Sequence, residues 1–129
     1  MEFVKGYFTI EGNIRGLTTQ EIERRLGFRA GRLDQGCRIL ALVGEPNSSE
    51  CISRGSTSYS GGGGLRGIPF FRPSAWLRQR LVKVEPVHPH TPWETYPPCV
   101  SIAAEQWELT QSFPAHEICR LRAGDIYRG

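Results

Sequence analysis

Residues 99–121 read Cys99-Val100-Ser101-Ile102-Ala103, then Gln106-Trp107-Glu108-Leu109-Thr110, and close on His116-Glu117-Ile118-Cys119-Arg120-Leu121. β-branched and aromatic residues dominate the first two pieces, and the last alternates polar with apolar, as a half-buried strand does. Upstream, Phe3-Val4-Lys5-Gly6-Tyr7-Phe8-Thr9-Ile10 has the same character and stops at the turn-forming Glu11-Gly12-Asn13. Arg38-Ile39-Leu40-Ala41-Leu42-Val43 is short, continuous and apolar before Gly44-Glu45-Pro46-Asn47, which suits a buried central strand. These segments predict an α+β fold over residues 1–129, mostly antiparallel sheet with one or two short helices.

The helix is expected from Thr18. Thr18 and Glu21 stand at capping-box spacing, Leu17 and Ile22 flank them as a hydrophobic staple, and Ile22 and Leu26 lie one turn apart. Gly27 is placed to end it in a left-handed conformation. Two further stretches read as connections. Residues 54–67 join an Arg-Gly-Ser-Thr-Ser-Tyr-Ser run to four consecutive glycines, too little apolar surface to pack, and predict a loop. Prolines 86, 89, 92, 97 and 98 predict an extended connection over 86–98. Between them, Trp76 to Val82 fits a helical turn at its start and a strand at its end, through Val84.

The chain has 129 residues, 39% hydrophobic and 22% charged, enough to bury a core without a staple. Sixteen basic against thirteen acidic residues leave a formal charge of +3, too small to argue for nucleic acid or membrane. No apolar run reaches membrane-spanning length and the first residues lack the pattern of a signal peptide, so a cytoplasmic protein without membrane association is expected. Cys37, Cys51, Cys99 and Cys119 are too scattered for a zinc knuckle and are expected as reduced thiols, Cys37 and Cys119 packed as small hydrophobes. His88, His90 and His116 have no acidic partner at ligand spacing, so neither metal nor cofactor is expected.

The 54–67 loop is the first candidate site. Its glycines let backbone N–H groups approach an anion, Ser56 and Ser58 add hydroxyls, and Arg54 and Arg66, with Arg72 beyond, supply positive charge. No Gly-Lys-Ser/Thr follows, so it is not a Walker loop. The expectation is a small binding module that contacts an anionic small molecule or a protein partner through these arginines.

Two resemblances suggest alternatives. Thr18 to Phe28 resembles the first helix and turn glycine of the helix-turn-helix family, implying a nucleic-acid-binding protein with a recognition helix over 29–36; Gly31 and Gly36 interrupt that segment, and Glu23 sits where a small residue normally lets the two helices meet. Ser56-Thr57-Ser58 with Gln106-Trp107-Glu108 resembles the S-T-S strand and Q-x-E of the ADP-ribosyltransferases. That resemblance implies NAD held by the S-T-S strand, with Ser58, Gln106 and Glu108 in the catalytic set. Strand one carries Lys5 where that family has an arginine, and Arg15 and Arg38 lie nearest.

Overall fold

The computed structural model describes residues 1–47, 49–59, 73–88 and 99–129, and the side chains of 53–59 and 99–104 are left out of that description. Among the described residues five strands occur in chain order: β1 (Glu2–Ile10), β2 (Cys37–Leu42), β3 (Cys51–Tyr59), β4 (Leu81–Pro86) and β5 (Cys99–Leu121). The single α-helix among the described residues is α1 (Thr19–Leu26), with short 3-10 turns at Glu11–Asn13 and Ser74–Trp76. The architecture is therefore mostly β, a correction to the expected α+β class.

All pairings are antiparallel and the sheet order is β1-β4-β2-β5-β3. β1 also pairs with β5, from Glu2↔Ala115 to Phe8↔Trp107, so β1, β4, β2 and β5 close into a four-stranded barrel and β3 extends along β5. Closure leaves β1, β4, β2 and β5 a common interior face.

The three strand-like pieces of 99–121 are one strand of 23 residues. Its second edge changes partner along the way, from β3 opposite residues 99–109 to β2 opposite 115–121. Pro114 stands at the changeover. In a strand the N–H and C=O of one residue point to the same edge, and the Pro114 carbonyl accepts Val43 N–H at 2.9 Å there, so the N–H that proline lacks falls where no ladder bond is needed. β3 is a second correction, because residues 54–59 are strand and not loop. Ser and Gly there have little intrinsic strand preference, and the open edge of β5 supplies the backbone partners that override it. The rest of the expected loop, 60–67, lies outside the described residues, as does 89–98 of the proline-rich connection; Pro86 itself ends β4 opposite Cys37.

The core divides between the two faces of the barrel wall. Inside, Val4, Phe8, Leu40, Leu42, Leu81, Trp107, Leu109, Phe113 and Ala115 come from all four barrel strands. Trp76, carried by the second 3-10 turn, packs among them with its ring 5.7 Å from Phe8 and edge-on to Trp107 at 5.4 Å. Such aromatic contacts add about 1 kcal/mol each beyond area burial. Outside, α1 lays Ile22 and Leu26 over Cys37, Ile39, Val82, Val84, Leu121 and Tyr127.

α1 forms as its sequence predicts. Thr18 Oγ1 accepts Glu21 N–H, Glu21 Oε1 accepts Thr18 N–H at 2.9 Å, and Gly27 takes φ 77°. Near the start of α1, Glu11 is buried and ties the end of β1 to Tyr127. Its carboxylate accepts the Tyr127 hydroxyl, Arg80 Nη2 at 2.7 Å and Arg15 Nη2 at 2.5 Å. Burial would raise its pKa, but those hydrogen bonds and the two arginine charges outweigh it and hold the carboxyl below its ordinary value.

Candidate functional site

Glu23 sits on the packed face of α1, an unusual place for a carboxylate. It is fully used by backbone: Oε1 accepts Gly31 N–H at 3.0 Å and Oε2 accepts Leu33 N–H at 2.7 Å. Those two bonds fold residues 29–35 into consecutive turns, with Gly31 at φ 86° and Leu33 buried beneath. The second helix of a helix-turn-helix is therefore replaced by turns. Glu23, which occupies the position where two such helices would meet, is the physical reason.

This arrangement has an electrostatic consequence. With Glu23 consumed internally, the last turn of α1 carries Arg24 and Arg25, which face the Glu21 charge one turn back, and the turns after it carry Arg29 and Arg32 beside Asp34. Arg29, Ala30, Gly31, Arg32, Asp34, Gln35 and His88 line an open hollow of about 370 Å³. Arg32 Nη1 donates to the His88 carbonyl, which fixes one wall. The hollow presents guanidinium and side-chain amide donors, a donor set suited to carboxylate or phosphate oxygens.

A second concentration of charge lies where the barrel closes. The β1–β4 ladder has only two residue pairs, Thr9↔Val82 and Ile10↔Leu81, and the strands part beyond them. Arg38 of β2 laces the parted seam, bonding Glu2 of β1 through both nitrogens at 2.9 and 3.0 Å, Glu85 of β4 at 2.9 Å and Glu117 of β5 at 3.0 Å.

The sequence-derived site residues are placed as follows. Arg54, Ser56 and Ser58 lie on β3, whose side chains there are outside the described set, and Arg66 and Arg72 fall among residues not described. Gln106 is buried and donates its side-chain amide to the Leu26 carbonyl at 2.8 Å, a structural tie between β5 and α1. Glu108 is half-buried opposite Ile52, whereas Ser58 pairs with Val100, six residues further along β3, or roughly 20 Å at the ordinary strand rise. The register does not bring Ser58 and Glu108 together.

Cys37 and Cys51 are buried free thiols, and burial first of all pushes both up to about 12; the half-buried Cys119 is raised too. Such thiols pack and do not attack. Among the described residues no group of His, Cys, Asp and Glu has metal-site geometry, and no helix is long and apolar enough to cross a membrane. The Arg29–Gln35 hollow was not singled out from sequence. Its signal was Glu23 itself, one helical turn from Thr19 and next to Ile22, an acid on an apolar face that has to find donors. Comparison with protein-family models, with curated proteins and with solved structures finds no match to the chain.

Proposed function

We propose that this protein is a non-catalytic binding module for an anionic ligand, with the Arg29–Gln35 hollow as the described part of its receptor surface. The observation that carries this reading is the consumption of Glu23 by the Gly31 and Leu33 N–H groups, which folds Arg29 and Arg32 onto the rim of one hollow beside Asp34. Arg54, Arg66 and Arg72 of the glycine-rich region extend the same chemistry, and an acidic protein surface would meet it as a phosphate would. The buried tie of Gln106 to Leu26 and the six-residue offset of Ser58 from Glu108 give the NAD-transferase reading no support.

Calorimetric titration with inorganic phosphate and with a short DNA duplex, each over a salt series, tests it. Arg29→Ala with Arg32→Ala removes two guanidinium donors and weakens phosphate binding by about tenfold or more. Arg54→Ala with Arg66→Ala measures the share of the glycine-rich region. Unchanged affinity in both double variants overturns the reading. Duplex binding that falls steeply with salt, with no binding of phosphate alone, replaces it by nucleic-acid backbone recognition.

A further inference from the structure

The chain contains fourteen arginines and only two lysines, Lys5 and Lys83. Arginine stays protonated in proteins, whereas a lysine amine can lose its proton and become a nucleophile. Lys5 is exposed on β1. Lys83 is half-buried and sits where β1 and β4 part, one residue beyond their last backbone pair at Thr9↔Val82. Alternation gives its direction. Leu81 belongs to the barrel interior, Val82 and Val84 to the outer face under α1, and Lys83 pairs with the interior Leu40, so its side chain runs along the inner wall toward the seam.

The backbone makes room for it. β1 shifts register between Val4 and Gly6, and Gly6 takes φ 92°. A Cβ at Gly6 would stand 3.4 Å from Lys83 Nζ, so the amine lies against a residue that has no side chain to cover it. Among the described residues its amine makes no hydrogen bond and no ion pair, and Glu85, the carboxylate whose charge reaches it, is bonded to Arg38.

We propose that Lys83 is a covalent capture site for a neutral aldehyde or ketone, which enters at the parted β1–β4 seam. The uncharged Nζ adds to the carbonyl carbon, its two hydrogens leave with the carbonyl oxygen as water, and an imine joins ligand to protein; hydrolysis reverses the step, and no oxidant or reductant is required. Desolvation favours the uncharged amine, and the Arg38 charge acts in the same direction against the opposing pull of Glu85. The facing groups select the ligand's charge. Glu85, two residues along β4 from Lys83, is bridged by Arg38 to Glu2 of β1 and Glu117 of β5, three carboxylates to one guanidinium, so an anionic carbonyl compound is disfavoured at this seam.

The test is reductive trapping of the intact protein near neutral pH with cyanoborohydride and propanal, with adducts located by peptide mass spectrometry. Lys5 is the internal reference. Lys83 is expected to label severalfold faster than Lys5, because desolvation favours its uncharged amine while the parted seam leaves it reachable. The preference disappears in urea, and the Lys83-to-Lys5 labelling ratio is lower with glyoxylate than with propanal. Equal labelling of the two lysines, or slower labelling of Lys83, overturns the proposal and leaves a packing role. A higher Lys83-to-Lys5 ratio with glyoxylate than with propanal overturns the assignment to a neutral ligand. Because Arg29 and Arg32 take no part, loss of phosphate binding in their double variant with Lys83 labelling unchanged separates this site from the anion-binding hollow.

Discussion

Gln106 holds the carbonyl of Leu26, so the last turn of α1 is fastened to the middle of β5 by a buried amide. Gln106→Leu keeps the volume and leaves that carbonyl without its donor. A buried acceptor deprived of its partner costs about 1–3 kcal/mol, and the midpoint of urea unfolding should fall accordingly with an unchanged slope. A variant as stable as the wild type would remove this tie from the account of the fold.

Glu11 makes stability depend on pH in a direction fixed by its partners. Its native pKa lies below the ordinary 4.5, so the carboxylate's contribution is complete above that value and is lost as pH falls through the lowered native one. Glu11→Gln should therefore be less stable near neutrality, and its stability should decline less between pH 5 and pH 3, roughly the range over which carboxylates titrate. Glu2, Glu21 and Glu117 are also lowered but face solvent, and they keep a residual slope in the variant. Identical pH profiles would contradict the proposed role of the Tyr127 and Arg80 bonds.

Two glycines with similar backbone angles should respond differently to alanine. At Gly16, φ 81°, an added Cβ meets nothing within 4 Å, and the cost is conformational, about 1 kcal/mol. At Gly36, φ 95°, it would stand 2.7 Å from the Leu121 carbonyl oxygen in a β2–β5 crossing that cannot yield. Gly36→Ala should cost roughly 3 kcal/mol or more by thermal denaturation, since the strand end must move.

What could be read in advance is what each segment decides for itself. β1, β2 and α1 carry their own alternation, apolar run or caps, and they fold where those features stand. β3 does not: Gly55, Ser56 and Ser58 become strand because β5 offers an unpaired edge, information that lies some fifty residues downstream. The continuity of β5 through Pro114 was equally hidden, because the proline is harmless only once β3 gives way to β2 beside it. The hollow was half visible through Glu23. The Lys83 seam was not visible, since it exists only after β1 and β4 meet and separate.

β5 completes the ring by pairing with both β1 and β2, and the direct β1–β4 junction contributes two residue pairs. A ribosome releasing this chain from its N-terminus has exposed β1, α1, β2 and β4 long before the segment that encircles them emerges. Until residue 121 is made, the inner surfaces of Phe8, Leu40 and Trp76 have no fourth wall. Non-local pairing of this kind slows folding and prolongs exposure of apolar strands. Truncation within the last strand should therefore yield an aggregating chain, and not a shorter barrel.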